Sequence, residues 1–236
     1  MRGIIFDLDD TLFPESTYVE SGFQAVAERV HSVSGLDSQE LLRALLLAQQ
    51  GPDRGQVFDA LFERYPAVAH ALSVPDLVRI YRAHRPKIDF YPGTGRVLAE
   101  LSQRGLQLGL ISDGPLEAQA AKMEALSLCS FLPIVILTDA WGREFWKPHE
   151  RAYREIERRT GLSGEELAYV ADNPMKDFVS PRKLGWLAIR LRREGQVHFL
   201  TEPEDAFHAP HLQVSDVEEL REYVVHQGGM GQGARG

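Results

Sequence analysis

Gly3-Ile4-Ile5-Phe6-Asp7-Leu8-Asp9-Asp10-Thr11 decides how the rest of the chain is read. A short apolar run reads as a buried strand, and this one breaks off at three carboxylates and a hydroxyl. Like charges held so close resist ionisation unless a cation compensates them, and a divalent metal is the simplest compensation. Charged residues at the carboxyl end of a parallel strand also lie where open α/β sheets hold their ligands. The stretch therefore reads as one edge of an active site.

Beyond it the text changes twice. From Ser16 to about His84 it is helical throughout: Tyr18, Phe23, Val26 and Val30, then Leu41, Leu42, Leu45 and Leu46, then Val57, Leu61 and Phe62, then Leu77, Val78 and Tyr81. Punctuation at Ser34-Gly35, Gly51-Pro52, Tyr65-Pro66 and Val74-Pro75 divides this block into four helices. After Pro86 strands and helices alternate. The predicted strands are Leu106 to Ile111, Ile134 to Leu137, Leu167 to Ala171, Trp186 to Arg190 and Leu212 to Val214. Near-continuous apolar strands separated by helices predict a parallel sheet covered on both faces. The chain thus divides into an α/β core, residues 1–15 and 87–226, an all-helical insert, residues 16–86, and a glycine-rich tail, 227–236, expected to be disordered.

Composition narrows the function. With 44% apolar and 9% aromatic residues in 236, the chain has enough material for a packed core and is not a disordered protein. A net charge of −8 argues against a nucleic-acid partner, which would call for a basic face. The apolar patch Leu41 to Ala48 contains Arg43 and is too short to span a bilayer, so no membrane partner is expected. With strand-like sequence from Gly3 no signal peptide is expected, and the single Cys129 has no internal partner, so a reducing cytoplasm is the expected location. Cys129, beside Phe131 and Leu132, is expected in the core.

In a parallel sheet all carboxyl ends lie along one edge, so Asp7, Ser112 and Asp172 are expected to converge there, with Asp177 and Lys147 in the adjoining loops. In that order, Asp7-Leu8-Asp9-Asp10-Thr11, Ser112, Lys147-Pro148 and Asp172-Asn173-Pro174-Met175-Lys176-Asp177 resemble the four motifs of the haloacid dehalogenase superfamily. The helical block sits where that family inserts its first-type cap. The resemblance implies a three-layer, Rossmann-like α/β core with an inserted helical cap. The activity it implies is Mg²⁺-dependent hydrolysis of a small phosphomonoester.

By that resemblance Asp7 is the nucleophile that forms an aspartyl-phosphate, and covalent catalysis divides one hard displacement into two easier ones. Mg²⁺ would be held by Asp7, Asp172 and the main-chain carbonyl of Asp9. The side chain of Asp9 is then left to protonate the leaving oxygen and afterwards to activate water. Lys147 would pair with Asp7 and the phosphoryl oxygens. The Ser112 hydroxyl and the main-chain N–H groups of Asp113 and Gly114 would donate to the same oxygens. Asp177 completes the outer shell of the metal, orients Lys147, or caps the next helix. Asp10 reads as a turn or helix-entry residue, and Thr11 as an anchor of the loop through local hydrogen bonds.

Specificity is expected in the cap, where Arg54 in the loop Gly51-Pro52-Asp53-Arg54-Gly55-Gln56 is the natural contact for an anion or a sugar. Trp141 and Trp146 flank the Lys147 loop and either cover the site or pack beneath it. Arg190, Arg192 and Arg193 read as a solvated basic face, and His149 as a helix N-terminal residue. Asp9 favours phosphorus chemistry over dehalogenation, which needs no acid two positions after the nucleophile. A phosphomutase keeps both aspartates, and Thr11 after Asp10 resembles the phosphatase form more closely. A receiver-like binding protein shares the acidic pocket and lysine but lacks a large cap after its first strand. The expected assembly is a monomer or homodimer.

Overall fold

The computed structural model describes residues 1–51 and 54–230, the side chains of Arg54 and of 227–230 excepted. Six strands form one parallel sheet: β1 (Gly3–Phe6), β2 (Gln107–Ser112), β3 (Ile134–Leu137), β4 (Leu167–Ala171), β5 (Leu187–Leu191) and β6 (Leu212–Val214). Their spatial order is β3-β2-β1-β4-β5-β6. The order reverses between β1 and β4, so the crevice outside their carboxyl ends is the switch point where such sheets bind ligands. Asp7 and Asp172 are the first residues past those two strands.

Burial on both faces explains the unbroken apolar runs. Along β1, Ile4 and Phe6 join one core with Leu110, Val170 and Leu98, while Ile5 joins a second core with Ile111, Tyr169 and Tyr153 on the opposite face. Helices α5 (Thr94–Gln103), α6 (Leu116–Ala125) and α9 (Val217–Met230) accompany the first core, and α7 (Arg151–Thr160) and α8 (Val179–Lys183) lie with the second. This gives the three-layer α/β arrangement. Helix α9 reaches Met230, so the tail expected to be disordered from 227 begins as helix; residues 231–236 lie outside the described part.

The predicted helical block holds α1 (Glu15–Ser34), α2 (Ser38–Gln49), α3 (Val57–Arg64) and α4 (Val74–Ala83), four α-helices among the described residues where four were predicted. Local chemistry sets their ends. Gly35 takes a left-handed φ of 74° and its N–H bonds the His31 carbonyl, closing α1; Asp37 caps α2 by accepting from Glu40 N at 2.8 Å. Ser73 and Asp76 form a reciprocal capping box at α4, with Pro75 in its first turn. Phe23, Val26, Val30, Leu41, Leu45, Leu61 and Leu77 give these helices a third core of their own. None of the described helices is long and apolar enough to cross a membrane.

Two sequence expectations about burial fail. Cys129 is exposed, because the 3₁₀ turn Leu128–Ser130 turns Leu128 inward, and Leu132 after it is likewise fully buried. Arg190 is 1% exposed and not part of a solvated face: its Nε donates to the Asp172 carbonyl at 3.0 Å and its Nη2 to the His198 carbonyl at 2.7 Å. Arg192 donates to the Phe199 carbonyl and pairs with Glu202, and Arg193 lies over the Tyr91 ring at 4.0 Å. The Arg190 guanidinium thus joins the residue after β4 to the segment after β5.

Candidate active site

The loop after β1 is built by Asp10. It adopts φ 52°, a left-handed conformation that a short polar side chain tolerates, and its carboxylate accepts from Glu15 N at 2.8 Å and Val197 N at 2.7 Å. The first contact satisfies an orphan N–H of α1, and the second ties the loop to the segment after β5. Asp10 is thus the turn and helix-entry residue. Thr11 anchors the loop only through its main chain, Thr11 N donating to the Leu8 carbonyl at 3.3 Å; its buried hydroxyl has no hydrogen-bond partner among the described residues.

Lys147 is the centre of the charge arrangement. Its enclosed ammonium lies 2.5 Å from Asp7 Oδ1, 2.8 Å from Asp177 Oδ1 and 3.1 Å from the Tyr169 hydroxyl. Burial by itself would lower the lysine pKa, but Asp177 and Asp7 outweigh it and hold the ammonium well above its ordinary value. Asp177 also accepts from Asn173 N at 3.2 Å through its other oxygen. It therefore orients Lys147 and braces the turn after β4, and among the described contacts it does not cap α8.

One lysine faces more than one carboxylate. Oxygens of Asp7, Asp172 and Asp177, all buried, lie within 4.8 Å of one another. Burial, then the charge of Asp177, pushes Asp7 up to about 6 although Lys147 opposes the shift. Burial, then Asp177 and Asp7, raises Asp172 well above the carboxylate range. An oxygen-only donor set short of positive charge suits a hard divalent cation, and Asp7 and Asp172 have the oxygens to hold one.

That charge deficit has a measurable sign. A carboxylate whose pKa is raised by folding contributes stability that is full below its unfolded value and lost as the pH climbs through the folded one. For Asp7 the window runs from 3.8 to about 6. In EDTA the thermal midpoint should therefore fall as pH rises through this window. Mg²⁺ should offset the fall by binding the native state, and Asp7→Asn should make it shallower, leaving the part contributed by the raised Asp172 and Glu15 carboxyls. Scanning fluorimetry with and without Mg²⁺ checks this; a midpoint indifferent to Mg²⁺ above about pH 7 would exclude the ion from the site.

Ser112 ends β2 beside Asp7, and its hydroxyl accepts from Gln119 Nε2 at 2.8 Å. Asp113 does more with its side chain than the sequence suggested. Its carboxylate accepts from Thr138 Oγ1 at 2.7 Å, Lys147 N at 3.1 Å and Lys176 Nζ at 2.8 Å, fastening the Lys147 loop to the turn after β4. Burial raises its pKa, but Lys147 and Lys176 reverse the shift and leave it lowered. Gly114 has φ 123°, and a Cβ there would lie 3.0 Å from Gln119 Nε2, so its missing side chain makes room for that amide.

The Asp9 carboxyl meets two side chains of α6. Its Oδ1 is 2.6 Å from Lys122 Nζ and its Oδ2 2.9 Å from Gln119 Nε2. Neither partner was singled out from sequence, nor was Lys176. A signal existed: Gln119 and Lys122 share the face of α6 that carries Ala118 and is continued by Leu126, all buried, where apolar residues are the norm. Glu15 stands near the same pair, its carboxyl pushed up to about 7 by burial and then by Asp9.

The remaining candidates lie farther out. Trp141 packs against the second core with the Arg151 guanidinium 4.5 Å from its ring centre, and Trp146 donates to Asp139 at 3.1 Å. His149 accepts from Arg151 N at 3.1 Å at the entry to α7. Arg54, expected to contact substrate, has its side chain outside the described residues, as have Pro52 and Asp53 entirely.

Similarity to known proteins agrees with this geometry. The chain is 31% identical over 197 residues to the glyceraldehyde 3-phosphate phosphatase of Methanocaldococcus jannaschii, covering 81% of this chain and 85% of that protein. It is 32% identical over 176 residues to the phosphoserine phosphatase of Thermus thermophilus, covering 74% and 66%. The putative HAD-hydrolase YfnB from Bacillus subtilis bound to magnesium shares the fold, with a TM-score of 0.63 at 17% identity over 94% of this chain and 98% of that one. A family model matches residues 4–190, a span that includes Asp7, Ser112, Lys147 and Asp172, and the chain therefore belongs to the haloacid dehalogenase-like hydrolases.

Proposed function

We propose that this hydrolase removes the phosphoryl group from a small phosphorylated metabolite through an aspartyl-phosphate on Asp7. The observation that carries the reading is Asp9: a second carboxyl two residues after the nucleophile, held in place by Lys122 and Gln119. Displacement at phosphorus with an alkoxide leaving group needs a proton donor at that point, whereas displacement of halide from carbon does not. The names of the two curated relatives support a phosphomonoester as substrate.

Asp7 attacks phosphorus in line, forming the Asp7 Oδ–P bond as the P–O bond to the leaving group breaks, and Asp9 hands its proton to the departing oxygen. Asp9, now a carboxylate, takes a proton from water as that water attacks the phosphoryl group on Asp7. Inorganic phosphate leaves and both aspartates return to their starting forms. Gln119 occupies one lone pair of Ser112 Oγ, so the hydroxyl proton can be directed at a phosphoryl oxygen. Lys147 sets positive charge beside Asp7, and Lys176 adds a second ammonium, held by Asp113. Mg²⁺, held by Asp7, Asp172 and the main-chain carbonyl of Asp9, would supply the charge that lets a carboxylate approach a phosphate dianion.

Residues 16–86 act as the cap in this reading, and Arg54 as its contact with the leaving group. An exposed, unpaired Cys129 fits a reducing cytoplasm. The test is release of inorganic phosphate from a panel of small phosphomonoesters. Turnover is expected with Mg²⁺ and not with EDTA. Halide release from 2-haloacids without phosphate release from any ester would overturn the reading.

A further inference from the structure

We infer that Lys122, together with Gln119, is the positioning residue for the acid and base Asp9, and that it joins Asp9 to the root of the helical insert. This rests on the phosphatase reading above. Helix α6 starts four residues after Ser112, which brings Gln119 and Lys122, one turn apart, to the Asp9 carboxyl. The two donors serve different oxygens, Lys122 Nζ at 2.6 Å from Oδ1 and Gln119 Nε2 at 2.9 Å from Oδ2. One donor would leave the carboxyl free to rotate about it; two fix its plane. Each oxygen keeps a second lone-pair direction, so a site for the mobile proton remains.

Lys122 is 5% exposed, an expensive place for an ammonium on a helix that could have carried it in water. Besides Glu15, two aromatic rings stand beside it. Nζ lies 4.1 Å from the centre of the Tyr18 ring and 6.0 Å from that of Phe13. Tyr18 belongs to α1 and packs on Tyr81 of α4, ring centres 5.6 Å apart, and on His84 just after it, at 4.9 Å. The ammonium is therefore wedged between the carboxyl that moves the proton and the aromatic cluster where the insert joins the core. When Asp9 gives its proton to the ester oxygen as the P–O bond breaks, the carboxylate left behind already has a cation beside it. When that carboxylate takes a proton from water, Lys122 still fixes its direction. Lys122 itself gains and loses no proton in either step.

A lysine that merely held the seam together would affect all substrates alike, which sets the experiment. The readout is kcat/KM, which reports steps up to leaving-group departure, for two substrates: an alkyl phosphate that the wild type turns over and p-nitrophenyl phosphate. The alkoxide needs a proton to leave, and the nitrophenolate does not. Lys122→Met, which keeps the stem against Tyr18, should lower the alkyl value by roughly 30-fold or more and the aryl value by no more than about 3-fold. Lys122→Arg should recover much of the alkyl value. Asp9→Asn should show the same selectivity more strongly. Equal losses on both esters in Lys122→Met, with Asp9→Asn selective, overturn the role of Lys122 alone. Equal losses in Asp9→Asn overturn the acid and base reading and this inference with it. Should Lys122→Met fail to fold, Lys122→Gln, which keeps a polar stem without the charge, tests the same selectivity, and an unselective loss there overturns the inference.

Discussion

Asp7→Asn should abolish phosphate release from every ester, by roughly four to six orders of magnitude, while the protein stays folded. The amide keeps the shape of the side chain and loses the charge that the proposed nucleophile needs. Metal-free, the variant should be at least as stable as the wild type at neutral pH. Burial and Asp177 push the Asp7 carboxyl up to about 6, so its ionised form is a cost to the native state, and Asn removes that cost. Lys147 keeps its contact with Asp177 at 2.8 Å and is not left unpaired. Phosphate assay and scanning fluorimetry in EDTA measure the two halves. Retained turnover would mean that another group attacks phosphorus.

Lys147→Met should move stability in the opposite direction. Its ammonium, fully enclosed, is the shared partner of Asp7 at 2.5 Å and Asp177 at 2.8 Å. Removing one partner of a buried ion pair leaves uncompensated charge and costs about 3–5 kcal/mol. Three carboxylates, Asp7, Asp172 and Asp177, face one another in this variant, so the loss should be largest in EDTA above about pH 7, and smaller with Mg²⁺ or at lower pH, where the carboxyls can take up protons. Activity should fall by about 10²- to 10³-fold, since a preorganised positive charge beside the reacting group is gone. Arginine is no substitute, because a planar fork does not fit a point-charge site with no exposed surface. A variant as stable as wild type in EDTA would show that the three groups do not form one charge balance.

The opposite signs of these two results come from a single count. The cluster holds Asp7, Asp172 and Asp177 around Lys147, with Lys176 turned to Asp113. Taking away a negative charge relieves the native state, and taking away the positive one burdens it. The same deficit is what a divalent cation relieves.

Strands Ile134–Leu137, Leu167–Ala171 and Leu212–Val214 were legible to the residue, because an apolar run bounded by turn residues is local information. So were the four inserted helices and the convergence of Asp7, Ser112 and Asp172, since a parallel sheet puts all carboxyl ends on one edge. Arg190 was misread because its neighbours Arg192 and Arg193 made a basic cluster in one dimension. Only the end of β4, with the Asp172 carbonyl turned to its guanidinium, explains its burial. Cys129 was misplaced because apolar neighbours suggest a core position, while a short 3₁₀ turn selects which of them turns inward.

The amino-acid sequence by itself determined the sheet, the inserted helices and the identity of the groups at Asp7, Asp9, Ser112, Lys147 and Asp172, all consequences of apolar periodicity and motif spacing. Only the tertiary structure decided what those groups touch. Asp9 meets Lys122, 113 positions away, because α6 folds back over the loop after β1. Asp113 became a clamp on Lys147 and Lys176, and Asp177 became a partner of Lys147. Each of these is a contact between side chains whose distance in sequence carries no energy; it acquires one when burial removes the water that would otherwise separate the charges.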